Sequence, residues 1–323
     1  MTELIGDLTE SDILRRILAR TPSADTATVG PGDDAAVLAL RGDLVATTDT
    51  LVHGPDFRLA WSSGFDLGYK AAAVNLADVA AMGARPTALL VALAIPASLP
   101  VSLVEEMAEG LAAACAALAP GCAVVGGDLT VSATLTIAVT ALGDLEGRAA
   151  VLRSGARPGD TLALAGTQGN AARGLSTLFR RFTDTQGAPT PLDLTALTAV
   201  EQLEVMAQLR PEPPIALGIV AAVAGATAMM DVSDGLVLDA RRMARASGVT
   251  LEIDSSAFEN AASALEGGED HPLLATFTGA LPDGFRAIGR VVAAGDEAVL
   301  VDGARHDLPG GWDPYRDWDA QAG

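Results

Sequence analysis

The chain has 323 residues, half of them apolar and 4% aromatic, with 21 Lys and Arg against 41 Asp and Glu for a net charge of −20. That length supports two domains with real cores, and so acidic a chain is excluded as a nucleic-acid binder, whose affinity comes from Lys and Arg on phosphates. No apolar stretch reaches a membrane span without a charge or a Pro/Gly break, and Cys115 and Cys122 are too few for a disulfide framework.

The opening segment, MTELIGDLTESDILRRILAR, starts acidic and then patterns as an amphipathic helix, not a signal peptide, so a cytoplasmic protein is expected. Short β-rich runs follow at 44–48, 89–95, 122–125 and 135–141. KAAAVNLADVAAMG reads as a buried helix because it is apolar on most sides. In 102–119, Leu103, Met107, Leu111, Cys115 and Leu118 recur at helical spacing until Pro120-Gly121 stops them. Residues 1–150 therefore read as one α/β unit, and the Gly/Pro/Arg-rich LRSGARPGD at 152–160 marks its boundary. The second unit, 151–323, restarts with a strand at 161–165 and a glycine loop running into a helix. Polar, Pro-rich connections lie at 183–195 and 210–214. A strand at 226–230, a helix at 236–246 closed by Gly248, and strands near 249–253, 273–278 and 286–293 complete it. The expected class is α/β (α+β) in two domains.

Seven aspartates stand where apolar runs end: Asp33, Asp34, Asp49, Asp78, Asp128, Asp231 and Asp234. Buried carboxylates need partners, yet Lys70 is the only lysine. Hard divalent cations, Mg²⁺ above all, are the natural alternative, and they would also reverse the local field that repels a phosphorylated substrate. In Asp231-Val232-Ser233-Asp234-Gly235 an N-cap by Ser233 or Asp234 would account for one side chain but not for Asp231. The ligand reading is likewise favoured for Asp78, which has Asn75 one turn before it. Gly126-Gly127-Asp128 is open between a ligand-approach turn and an ordinary turn. Asp49 is open between a ligand and a cap, and Asp33-Asp34 also fits a plain turn. Arg153 and Arg157 suit either an anion contact or a solvated loop, and GGED at 267–270 reads as a simple loop. There is no GxxxxGK[ST] loop, zinc pattern or GxSxG elbow. His53, His271 and His306 read as surface or structural residues.

In order along the chain, GDDAAVL (32–38), TTDTLV (47–52), DLGYKAAAVNLADVAAMGARP (66–86), VGGDLT (125–130), LRSGARPGD (152–160), RPEPPIALG (210–218), MDVSDGLVLDARRMARASGV (230–249), LEGGED (265–270) and GW (311–312) resemble the thiamine-monophosphate kinases of the aminoimidazole-ribonucleotide-synthetase-like superfamily. The resemblance implies a two-domain fold whose N-terminal sheets pair in a homodimer. It also implies Mg²⁺-dependent transfer of a phosphoryl group from ATP to thiamine monophosphate. On matching positions it places metal ligands at Asp34, Thr47, Thr48, Asp49, Asp78, Asp128, Asp231 and Asp234, of which Asp128, Asp231 and Asp234 would be catalytic. Nucleotide contacts would fall at Gly127, Asp128, Arg153 and Ser233, and substrate contacts at Asp56, Glu269 and Trp312. The substrate side departs from the pattern. Asp56-Phe57 stands where a His-Phe pair is usual, His271-Pro272-Leu273 where Tyr-Glu-Leu follows GGED, and Val131-Ser132 after Thr130 where a second Thr and an Arg are usual. Two further readings are carried: a sibling ATP-dependent enzyme with another acceptor, and a non-catalytic Mg-nucleotide binder. Selenophosphate synthetase and the hydrogenase-maturation factor carry reactive Cys residues that this chain, ending RDWDAQAG, does not match.

Overall fold

The computed structural model describes residues 2–312, so the terminal RDWDAQAG lies outside the described residues. The first half runs α1 (Glu10–Leu18), β1 (Ala27–Val29), β2 (Val37–Leu38), β3 (Leu44–Val52), α2 (Gly64–Ala81), β4 (Arg85–Ile95), α3 (Val101–Leu118), β5 (Ala123–Val131) and β6 (Thr136–Asp144). Strands β3, β6, β4 and β5 form a mixed sheet in that order, parallel only between β4 and β5. Its Leu89, Val91, Ile137 and Val139 face a shared core with α2 and α3. On the opposite face Thr48, Leu90, Ala92 and Thr130 stay exposed.

Helix α2 is buried at every residue except Phe65 and Asp78. Its small residues let other backbones in: a Cβ on Gly68 would stand 2.0 Å from Met107 O of α3, and one on Gly110 of α3 would stand 2.1 Å from Phe65 O. Ser63 starts the helix, its hydroxyl accepting from Asp66 N in a capping box. The alanine-rich, aromatic-poor composition is thus the composition of closely packed helices.

The second half runs β7 (Thr161–Ala165), α4 (Asn170–Arg181), α5 (Ala199–Leu209), α6 (Ile215–Val223), β8 (Ala228–Asp231), α7 (Leu236–Ser247), β9 (Val249–Ile253), α8 (Ala261–Glu266), β10 (Leu273–Phe277), β11 (Phe285–Ala293), β12 (Val299–Val301) and β13 (Ala304–Arg305). Its sheet has the order β13-β12-β9-β11-β7-β10-β8 and is antiparallel except between β12 and β9. Gly248 closes α7 in the left-handed conformation, φ 67°. Helices α5 and α6 lie beyond the expected elements. Thr198 caps α5 with Glu201 in a capping box, a signal overshadowed by the neighbouring prolines.

Helix α6 docks on α2, where a Cβ on Gly218 would meet Ala80 O at 2.1 Å. The chain therefore closes its second half against the helix that carries Asp78, and β8 ends beside the same helix. No helix among the described residues is long and apolar enough to cross a membrane.

Candidate functional site

Acidic side chains from both halves meet at the junction of β3, α2 and the β8–α7 turn. Thr47 Oγ1 donates to Asp78 Oδ2 at 2.7 Å, and Asp49 N donates to Asn75 Oδ1 at 3.0 Å. Asn75 thereby caps a backbone N–H on the sheet's edge strand. Burial pushes the Asp78 carboxyl up to about 7, and the negative charges of Asp231 and Asp49 add to it. Asp49 is raised as well, first by burial and then by Asp231, Asp234 and Glu269, against the opposing effect of His271. Five carboxylates from distant parts of the chain, Asp49, Asp78, Asp231, Asp234 and Glu269, thus share one electrostatic neighbourhood.

The turn that presents Asp231 and Asp234 is held from inside the following helix. Asp239 accepts from the N–H groups of Ser233, Asp234 and Gly235 at 3.1, 3.1 and 3.3 Å. Neither Ser233 nor Asp234 caps α7: Gly235 stands at the N-cap position with no side-chain cap, and the first-turn N–H of Leu238 donates to Gly310 O at 3.0 Å. Burial raises Asp239 to about 6. Arg242 Nη1 reaches both Asp239 Oδ1 and Asp234 Oδ2 at 2.6 Å. Asp231 ends β8 buried, its Oδ2 3.0 Å from His271 Nδ1. His271 is therefore no surface residue but part of the acidic cluster. Its position directly after GGED was the available signal, masked by the departure from the usual text.

A cleft of about 810 Å³ opens beside this cluster, lined by Asp56, Arg58, Lys70, Ser233, Asp234, Glu269 and Trp312 among others. Lys70 Nζ lies 2.5 Å from Glu269 Oε2, an ion pair between the halves. Burial pushes the Glu269 carboxyl up, but Lys70 and His271 more than offset it and hold it below the usual range. GGED is a fitted loop, not a loose one. A Cβ on Gly268 would stand 2.2 Å from Ser233 O, and Glu269 N donates to that same oxygen at 2.9 Å. Asp56 Oδ2 accepts from Val52 N at 2.7 Å, and burial raises its carboxyl. Trp312 N donates to Asp234 O at 2.9 Å, so the end of the described chain is tied to the acidic turn.

The remaining predicted residues lie elsewhere. Asp34, Gly127 and Asp128 line a second cleft of about 790 Å³ along β5 and the exposed sheet face. Asp128 stands within β5, which continues to Val131, so it is not at a strand's carboxyl end. A bulge opposite Leu89 and Leu90 lets the strand continue through the glycines. A Cβ on Gly127 would stand 1.9 Å from Val91 O, so strand packing alone demands glycine there. Thr47 and Thr48 point to opposite sides, since a strand alternates: Thr48 Oγ1 donates to Val139 O at 2.9 Å and accepts from Thr140 Oγ1. Arg153 is exposed and is not among the residues lining either cleft.

Among the described residues no three His, Cys, Asp or Glu side chains are drawn together tightly enough to hold a metal ion by themselves. The donors that do converge are hard carboxylate oxygens whose mutual repulsion a divalent cation would relieve, which is the chemistry that suits Mg²⁺.

Residues 32–145 match the AIR synthase related protein family, N-terminal domain, and residues 157–280 its C-terminal domain. The thiamine-monophosphate kinase of Mycobacterium tuberculosis (strain ATCC 25618 / H37Rv) is 38% identical over 339 residues, spanning 98% of this chain and 95% of that protein. The crystal structure of thiamine-monophosphate kinase from Stenotrophomonas maltophilia K279a is similar at a TM-score of 0.76 and 34% identity, over 92% of this chain and 98% of that one. AaThiL complexed with AMPPCP and TMP is similar at a TM-score of 0.72 and 31% identity, over 93% and 94%.

Proposed function

The chain belongs to the thiamine-monophosphate kinase family, and from that premise we propose that it transfers the γ-phosphoryl group of ATP to thiamine monophosphate, giving ADP and thiamine diphosphate. The observation that carries the reading is the convergence of Asp49 and Asp78 with Asp231 and Asp234 beside the cleft that holds Glu269 and Trp312.

An oxygen of the acceptor phosphate, ionised at neutral pH, attacks the γ-phosphorus in line while the bond to the β-phosphate oxygen breaks and ADP departs. No general base is required. Trp312 offers an aromatic face to the cationic thiazolium ring, while Glu269 and Asp56 supply negative charge on the same side. Asp34, Thr47, Thr48, Asp49, Asp78, Asp128, Asp231 and Asp234 supply the hydroxyl and carboxylate oxygens that would hold Mg²⁺. When bound, that ion supplies positive charge for the phosphate oxygens. Asp128, Asp231 and Asp234 have the catalytic share of this work, and Gly127, Asp128, Arg153 and Ser233 contact the nucleotide.

Because Asp34, Gly127 and Asp128 line a different cleft from Trp312, the reading includes a homodimer in which the first halves, residues 1–150, pair. The exposed face bearing Leu90 and Ala92 supports it. Residues 151–323 complete each site.

The test is incubation with Mg-ATP and thiamine monophosphate, with ADP and thiamine diphosphate as the expected products. ATP consumption with a different acceptor alone would reassign the chain to a sibling reaction. Tight Mg-ATP binding without product from any acceptor would make it a binding protein.

A further inference from the structure

His271 is buried, with 5% of its surface exposed, and its backbone sits in the left-handed region at φ 51°. Two residues earlier Glu269 does the same at φ 71°. Non-glycine residues hold such angles only where the surroundings fix them. Here the surroundings are unusually complete. Asp270 accepts from Gly169 N at 2.7 Å and Ala171 N at 3.1 Å, and Pro272 O accepts from Val232 N at 2.9 Å. The loop is pinned on both sides of the imidazole, which is thereby forced under the end of β8.

At that place Nδ1 lies 3.0 Å from Asp231 Oδ2, while Nε2 is buried with no hydrogen-bond partner. A carboxylate only accepts, so Nδ1 carries the hydrogen. An unmet buried nitrogen is costly, and an apolar side chain would fill the space without that cost. The contact to Asp231 is what the imidazole adds. It takes one oxygen of Asp231, and the other oxygen makes no hydrogen bond among the described residues.

We infer that His271 is the positioning residue of Asp231, its Nδ1–H fixing one carboxylate oxygen so that the other is aimed at a divalent cation in the acidic cluster. The inference rests on the proposed role of Asp231 but not on which acceptor is phosphorylated. Its test therefore reads binding, not turnover.

Two amide variants separate the two ring nitrogens. His271→Asn places an N–H near the position of Nδ1, and Asn tolerates the left-handed backbone. His271→Gln extends its amide toward the position of Nε2 and leaves Nδ1 without a replacement. The Mg²⁺ dependence of ADP binding is measured by calorimetry on each full-length protein, alongside its melting curve. Outer contacts of this type are worth about 10–100-fold in metal affinity. His271→Gln should raise the Mg²⁺ concentration needed for half-maximal ADP binding by about tenfold, and His271→Asn should restore it to within about threefold of wild type. In a double variant with Asp231→Asn, His271→Gln should add nothing further, because both act on one contact. Equal losses in the two amide variants, or an additive loss in the double variant, would overturn the inference. Should His271→Gln fail to fold, the wild-type protein decides. A downfield imidazole N–H resonance that disappears in Asp231→Asn supports the contact, and its absence from wild type refutes it.

Discussion

Asp78→Asn separates what the acidic cluster costs the fold from what it does for a cation. Asp78 is raised from 3.8 to about 7 by burial and by Asp231 and Asp49. A raised carboxyl leaves stability intact below its unfolded value and removes it as pH rises through about 7. At about 1.4 kcal/mol per pKa unit the full penalty is about 4 kcal/mol, and partial solvent access reduces it to about 1–2 kcal/mol. Asn has the shape of the protonated acid, and its oxygen still accepts from Thr47. In EDTA at pH 8 the variant should therefore melt above wild type by about 2–4 °C, with the difference vanishing near pH 4. With Mg²⁺ and ADP the order should reverse, because a ligand stabilises only the protein that binds it. Differential scanning fluorimetry at both pH values, with and without Mg-ADP, measures all of this. A cation-free variant that melts below wild type at pH 8 would refute the electrostatic reasoning.

Asp231→Asn and Asp128→Asn should each lower turnover by on the order of 10²-fold at saturating Mg²⁺, and near-normal rates in both would remove the cation scaffold from the mechanism. Arg241 donates to the carbonyls of His306, Leu308 and Pro309, and Glu266 accepts from Gly310 N at 2.8 Å, so together they strap the segment that delivers Trp312. Arg241→Ala should raise KM for thiamine monophosphate by about tenfold, on the order of 1.4 kcal/mol, with kcat unmoved in steady-state assays. A change confined to KM for ATP would contradict that placement. Gly68→Val has no room beside Met107 O at 2.0 Å. It should cost about 3 kcal/mol of stability, read as a lower urea midpoint, and an unchanged midpoint would mean that α2 and α3 are not locked together.

Much of this architecture is legible in local text, because Thr161–Ala165 and Leu236–Ser247 are bounded by turns and a closing glycine that act within a few residues. Strand ends were harder. Asp49 and Asp128 continue strands past the apolar runs, since edge strands tolerate polar residues on an exposed side. Helices α5 and α6 hide behind prolines, and what settles them is docking on α4 and α2, which no local pattern records. Without the family resemblance, the carboxylates read as acids at the ends of apolar runs with too little lysine to pair them. Which acids meet depends on α6 closing against α2 and on the register that sets Asp231 opposite Leu273. His271 and Lys70 acquire their roles from contacts distant in sequence, whereas Asp239 acts within its own turn, through N–H groups just before it in the chain.

The cluster also answers how carboxylates that repel one another can be kept at one place. Thr47 holds Asp78 by Oδ2, His271 holds Asp231 by Oδ2, and Arg242 holds Asp234 by Oδ2. In each of the three, the second oxygen makes no hydrogen bond among the described residues. A tether to one oxygen fixes the direction of the group and leaves the other with its lone pairs unspent, which is what an oxygen-preferring cation needs. The tethers differ in charge: a hydroxyl, an imidazole and a guanidinium. Only the guanidinium is permanently cationic, and Arg242 divides that charge between Asp234 and Asp239, whereas Asp78 is held by a neutral hydroxyl. The rise at Asp78 comes first from its burial and then from the charges of Asp231 and Asp49, against which the Thr47 hydroxyl gives only a neutral hydrogen bond. A cation bound as proposed would offset the repulsion that Asp231 and Asp49 exert on the buried Asp78 carboxyl.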